Sequence, residues 1–282
     1  MNKKSVICLC VFNNEFGLPY CFKNIEKMSK LFKKFEVLIF YDHSTDNSLK
    51  LLYDFKRNSK INTIIIINKN KKSRIRTENI SYARNSLLKI IKKKYRKYNY
   101  FMFMDTNEYS CIGDINIELL KDVIYSDKYD YDSISFNREA GYYDLWALSC
   151  DPFIYSIFHF QNHQYVCQEL KKHIDKKMEE YKSKNELMEV YSAFNGFAIY
   201  KTPKFIDCKY SSNIDLELFP KHILKKNIKH VNSKIINYFR NDCEHRSFHL
   251  QAIKKNNAKI RICAKSMFKK MDKLPKKLRG PA

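Results

Sequence analysis

Asp105, Asn107 and Glu108 stand at the end of a short, aromatic-rich apolar run covering residues 98–104. A run of that length and composition reads as a buried strand of an α/β sheet. Ligands in open α/β sheets sit at the carboxyl ends of such strands. Oxygen donors at i and i+2 there suit Mn²⁺ or Mg²⁺, held by few protein ligands and completed by substrate phosphates. The chemistry implied is that of a diphosphate-bearing compound. Asp and Asn also end strands in plain turns, but no Gly or Pro accompanies them here.

The elements that must position these residues follow from periodicity. Residues 6–12, 36–41 and 61–67 read as further strands. Leu18, Cys21, Ile25, Met28 and Phe32 recur at helical spacing behind Pro19. A second helix starts at Leu49, with Asp46 or Ser48 as its expected N-cap. A third, marked by Ile80, Ala83, Leu87, Leu88 and Ile91, carries Arg84 and Asn85 behind a basic turn at residues 69–76. Alternating strands and helices predict right-handed crossovers and a mostly parallel central sheet flanked by helices, an α/β fold in one domain. Beyond residue 110, residues 131–137 and 196–200 read as strands and residues 162–188 as largely helical. Residues 265–282 read as a basic tail, leaving 1–264 as the domain.

Composition narrows the class. The chain has 282 residues, 44% of them hydrophobic and only 5 Gly and 6 Pro, which favours one compact unit over a disordered chain. No apolar run is long enough to span a membrane, and the first residues read as a strand rather than a signal peptide. Nine scattered cysteines without a Cys-x-x-Cys pair fit reduced thiols in a cytoplasm-like compartment. The net charge of +23 raises affinity for polyanions and leaves peripheral membrane contact open. Lysines are spread along the chain rather than gathered in a stripe, so no specific nucleic-acid partner is expected. A nucleotidyltransferase would also use strand-end carboxylates, but no Gly-rich phosphate loop is present.

With these residues in view, the first 110 positions resemble the nucleotide-binding half of GT-A glycosyltransferases. Asp42-His-Ser44-Thr45-Asp46-Asn-Ser48 is similar to their Asp-Gly-Ser-x-Asp-x-Ser segment, with Tyr41 in place of a preceding Asp and His43 in place of Gly. Met104-Asp105-Thr-Asn107 resembles their Asp-x-Asp motif, with Asn107 replacing the second carboxylate. A closer resemblance is to the fungal capsule-associated α-1,3-mannosyltransferase group and its giant-virus and microbial relatives. It rests on Tyr41-Asp42-His-Ser44-Thr-Asp46, on Arg76…Ile80…Ala83-Arg84-Asn85, on Tyr143-Asp144-Leu-Trp146, on Phe194-Asn195-Gly196 and on Cys243-Glu244-His245. These matches run in order over residues 5–250.

The resemblance implies transfer of a sugar from a UDP- or GDP-linked donor to a glycan, glycoprotein or other hydroxyl acceptor. It divides the chain into a nucleotide-binding half (1–110) and an acceptor half (111–264). Asp105 and Asn107 are expected to hold the metal, with His245 or Glu108 helping. Tyr41, Asp42, Ser44, Asp46, Arg76, Arg84, Asn85, Trp146 and Asn195 are expected to bind the nucleotide-sugar, Arg84 by a bidentate grip on the pyrophosphate. Asp144 and Glu244 are the candidate general bases. Each has a plain structural alternative: a helix cap for Asp46, a surface salt bridge for Arg84, core packing for Trp146, a structural turn for His245. The two departures at Tyr41 and Asn107 also fit a GT-A scaffold without activity. His159, His163 and His173 have no carboxylate at ligand spacing.

Overall fold

The computed structural model describes residues 2–107, 112–236 and 241–269. Glu108, a helper expected for the metal, lies outside the described residues. Eight strands form one sheet: β1 (Lys4–Val11), β2 (Lys34–Tyr41), β3 (Asn62–Ile67), β4 (Tyr100–Asp105), β5 (Ser133–Asn137), β6 (Leu187–Val190), β7 (Phe197–Lys201) and β8 (Ile260–Ser266). Their order is β3-β2-β1-β4-β7-β5-β8-β6. The first four run parallel. β7 then enters antiparallel between β4 and β5, β5 and β8 pair in parallel, and β6 closes the edge antiparallel.

The helices are α1 (Leu18–Ser29), α2 (Ser48–Asn58), α3 (Arg76–Ile90), α4 (Ile117–Tyr125), α5 (His163–Lys184), α6 (Thr202–Phe205), α7 (Lys221–Val231) and α8 (Glu244–Asn256). Alternate strand residues divide between the two faces of the sheet, because successive side chains point to opposite sides. Ile7, Leu9, Val37, Ile39, Met102 and Met104 pack with α1, α2 and α4. Val6, Cys8, Leu38, Phe40, Phe101 and Phe103 pack with α3, α5 and α8. No described helix is long and apolar enough to cross a membrane.

The expected strands and helices of residues 6–105 are all present, with ends displaced by a few residues. Two expectations further along need correction. The helix of residues 162–188 stops at Lys184, where Asn185 turns into the left-handed region (φ 55°), and the chain continues as the edge strand β6. Asn is one of the few residues that caps a helix in that conformation at small cost. The domain also passes the expected boundary at 264. β8 runs through Ser266, Met267 and Phe268 are buried, and the Lys269 amide donates to the Asp114 carbonyl at 2.9 Å.

Gly17 opens α1 where the chain passes the turn after β4. A Cβ there would lie 2.0 Å from the Thr106 carbonyl oxygen, so only glycine lets α1 approach the end of β4.

Phe101 is fully buried and stacks on Tyr200 at 4.9 Å between ring centroids. Phe101→Ala is expected to cost about 3–5 kcal/mol by leaving a cavity at the centre of the sheet. Denaturant unfolding would check this, with a shifted midpoint and an unchanged slope.

Candidate active site

A cavity of about 510 Å³ opens at the carboxyl ends of β1, β2 and β4, within the range typical of small-molecule sites. The two-residue strand period decides which side chains reach it. Asp105 continues the face of Phe101 and Phe103, Asp42 that of Leu38 and Phe40, and Phe12 that of Cys8 and Cys10. All three line the cavity. Tyr41 lies one residue off this period and packs on the opposite face with α1 and α2, 3% exposed. Tyr41, expected to bind the nucleotide, does not line the cavity; its hydroxyl accepts a hydrogen bond from the Ser44 amide at 3.0 Å.

Ser44 and Asp46, also expected at the nucleotide-sugar, bond to the loop after β1. The Ser44 hydroxyl accepts from the Asn13 amide at 3.0 Å, and the Asp46 carboxylate accepts from the Glu15 amide at 2.9 Å. Asn14 bonds Ser48, and Thr45 bonds Asn13, in the same seam. These residues join the loops after β1 and β2, and of them only Asn14 lines the cavity. Asp46 accepts from the Ser48 amide at 3.0 Å as α2 starts, while the N-cap position itself is Asn47. Asp42 does line the cavity. Its carboxylate accepts from the Asn68 amide group at 2.9 Å and pairs with Lys72 at 3.3 Å. The Lys72 ammonium sits 3.6 Å from the centroid of the half-exposed Phe12 ring.

Arg84 crosses from α3 to the end of β4. Its guanidinium is buried, 3.2 Å from Asp105 and 3.4 Å from Glu244, the first residue of α8. It also contacts the His245 ring nitrogen and lies 4.5 Å from the Phe194 ring centroid. Burial alone would lower its pKa, but Glu244 and then Asp105 outweigh that and hold it charged. Burial raises the Asp105 pKa, with Arg84 opposing. Burial, reinforced by the Arg84 charge, pushes His245 well below the usual imidazole range, so its ring is neutral. The ring stacks on Phe194 at 4.0 Å.

His245, expected as a metal ligand, lines the cavity with a guanidinium at its ring nitrogen. Asp105 and Asn107 both line the cavity, one carboxylate and one amide. Among the described residues no group of three His, Cys, Asp or Glu is arranged to hold a metal. Two hard oxygen donors fit Mn²⁺ or Mg²⁺ as a weak site whose shell phosphate and water complete.

A further stretch of the lining comes from residues 143–146. Asp144 and Trp146 line the cavity, and Asp144 makes no ion pair among the described residues. Burial first, and the nearby Asp105 charge second, push its pKa up to about 6. Asn195 does not line the cavity. Its side-chain oxygen accepts from the Tyr143 and Asp144 amides at 3.1 and 3.2 Å, and its amide donates to the Phe136 carbonyl. It supports the backbone of Asp144. Asn85 exchanges two hydrogen bonds with the Tyr210 backbone at 2.8 and 2.9 Å. His249 bonds Ser192 at 3.0 Å.

Nine of the fourteen expected site residues line this one cavity: Asp42, Arg76, Arg84, Asp105, Asn107, Asp144, Trp146, Glu244 and His245. Phe12, Asn14, Lys72 and Phe194 join them without having been expected. Extending the period-2 face of β1 by one step would have found Phe12.

No protein-family model and no curated protein matches the sequence. Among solved structures, the chain is similar to S. aureus TarS 1-349 at 16% identity, covering 94% of this chain and 59% of that one, with a TM-score of 0.51. TarS 1-349 in complex with UDP-GlcNAc aligns at 16% identity over 99% of this chain and 61% of that one (TM-score 0.46). Mannosyltransferase PcManGT from Pyrobaculum calidifontis, in complex with GDP-Man and Mn²⁺, aligns at 11% identity over 99% and 59% (TM-score 0.43). The chain spans about three fifths of the length of these neighbours. The fold is the GT-A fold.

Arg84→Met would leave Asp105 and Glu244 facing one another without their shared cation. The expected cost is about 3–5 kcal/mol, the size found when one partner of a buried ion pair is removed. Paired denaturation curves of parent and variant would measure it.

Proposed function

We propose that this chain is a glycosyltransferase that moves a sugar from a nucleoside-diphosphate donor to a hydroxyl acceptor. The observation that carries this reading is the meeting, in one cavity, of Asp105 and Asn107 at a strand end with the guanidinium of Arg84 and the carboxylate of Asp144 beside Trp146. A catalyst of diphosphate departure needs positive charge at the leaving group and a separate base on the acceptor side. Residues 1–110 supply the first and the later half of the chain the second.

In this reading the nucleoside lies along Phe12, Asp42 and Lys72, an exposed aromatic face flanked by a carboxylate and an ammonium. Arg76 and Arg84 receive the diphosphate. Asp105 and Asn107 would hold a divalent cation, whose chemistry would be to offset charge on the departing diphosphate. Trp146 offers its ring to a sugar. Asp144, if the reaction inverts the anomeric centre, takes the proton of the attacking hydroxyl. Glu244 serves as counter-ion to Arg84 rather than as a base, because its carboxylate already faces the guanidinium at 3.4 Å.

The ordered motifs from Tyr41 to His245 support a finer kinship with the capsule-associated mannosyltransferases and their giant-virus relatives. They favour a mannosyl or related hexosyl donor linked to UDP or GDP, and a glycan or glycoprotein acceptor in a cytoplasmic setting.

Thermal shift across UDP- and GDP-sugars, with and without Mn²⁺, tests the reading. Stabilisation by at least one nucleotide-sugar, greater with the metal, is expected. If none stabilises the protein under either condition, the proposal fails. Asp105→Ala is expected to lower transfer by about 10²–10³-fold, the usual loss when one group stabilising transition-state charge is removed.

The pH profile tests Asp144. A base must be ionised to act, and its pKa is raised to about 6. Transfer should therefore rise as pH climbs through about 6 and level off above it. Asp144→Asn should lower the plateau by about 10²–10⁴-fold and abolish that limb. An unaltered profile in the variant would move the base elsewhere.

A further inference from the structure

Asp144 and Trp146 sit on an irregular segment, and an irregular segment holds a wall of an active site only if its backbone is tied down. One tie is Asn195, at residues 143–144. The other is Arg246, which no chemistry so far described requires. Its side chain is 1% exposed and is the largest fully buried one among the described residues. It lies on α8 two residues after Glu244, pointing away from Arg84. Its Nη2 donates to the Trp146 carbonyl at 2.6 Å. Its Nη1 donates to the Leu148 carbonyl at 3.0 Å, to the Ser149 hydroxyl, and to the Ile154 carbonyl at 3.4 Å. Nε pairs with Asp242 at 2.7 Å, and Asp242 in turn accepts from the Cys243 amide at the start of α8.

A buried guanidinium whose Nη donors all turn to one loop, three of their four acceptors there being backbone carbonyls, is an expensive way to fill a core. A lysine offers one point charge where arginine offers a planar fork of five donors. The geometry points to Arg246 as a positioning residue that latches residues 146–154 to the N-terminus of α8, and so fixes Asp144 and Trp146 relative to Arg84 and Glu244. α8 then carries both sides of the site's alignment: Glu244 and His245 hold the cation on one face, and Arg246 holds the acceptor wall on the other. The latch is a statement about structure, while its catalytic consequence rests on the transferase reading.

Trp146 is the only tryptophan in the chain, so its fluorescence reports on the latched segment directly. Arg246→Lys keeps the charge opposite Asp242 and loses the fork. The double variant Asp242→Asn/Arg246→Met removes both charges at nearly constant volume, so it keeps the test open should the lysine variant fail to fold. In a variant that melts cooperatively, acrylamide quenching of Trp146 is expected to rise severalfold and its emission to shift to the red. The nucleotide-sugar KM should stay close to the parent value while kcat falls about 10²-fold, the loss expected from roughly 1 Å of misplacement. A folded variant with parental Trp146 quenching and parental kcat, even if less stable, would overturn the proposal. Failure of the transferase reading would look different: the parent would bind no nucleotide-sugar, yet the Trp146 response to the two variants would still decide the latch.

Discussion

The buried guanidinium of Arg84 is the constraint on which the arrangement of this molecule depends. Taking a permanent charge out of water costs several kcal/mol, and the cost is offset only where acceptors and polarisable faces surround it. Here they come from separate parts of the chain: Asp105 from β4, Glu244 and His245 from α8, and the rings of Phe103, Phe194 and Tyr210. α3 and α8 must therefore meet over the end of a central strand. Both of their apolar faces belong to the same core, with Leu87, Leu88, Phe248 and Ala252 packed against Phe101 and Phe103. Hydrophobic burial brings the helices together, and the ion network sets where along β4 they stop.

The first half of this arrangement was legible in the sequence because it is governed by short periods. Strand residues alternate between two faces, and once Phe101 and Phe103 are assigned to the α3 face, Asp105 must follow them. The same rule separates Asp42 from Tyr41, which sequence comparison had grouped together. Motif resemblance preserves the order of residues and says nothing of which face each one points to. Ser44 and Asp46 show a related limit. Both are short polar side chains able to serve a ligand or a neighbouring loop, and the outcome depended on the amides of Asn13 and Glu15, some thirty positions earlier.

The second half was harder to read, for a physical reason. Residues 138–160 contain little regular structure, so no period marks which side chains face inward. Their positions are set by contacts such as Arg246 to Trp146 and Asn195 to Asp144, across 100 and 51 positions. Residue types alone correctly marked Asp144, Trp146 and Asn195 as unusual, but Asn195 acts through its neighbours' backbone. The left-handed pair Asn195 and Gly196, with φ of 54° and 85°, is the local signal of that role. Few other residue pairs would take up those angles without strain.

Net charge bears on function only through its local distribution. The chain as a whole carries +23, which would attract any polyanion. Among the described residues lining the cavity, however, the basic side chains are Lys72, Arg74, Arg76 and Arg84, and the acidic ones are Asp42, Asp105, Asp144 and Glu244. These are four against four, with His245 neutral. A diphosphate entering such a cavity adds negative charge that no local surplus offsets, and Arg84 is already shared between two carboxylates. On the transferase reading that offset would come from a divalent cation at Asp105 and Asn107, or from a proton on Asp144, whose raised pKa makes it the carboxylate most ready to take one. The first fits a metal site too sparse to fill without phosphate. The second gives Asp144 a titration near neutral pH that an isolated surface carboxylate would lack. Both follow from placing equal numbers of opposite charges in a partly desolvated cleft, where each charge counts for more than it does on the lysine-rich surface outside.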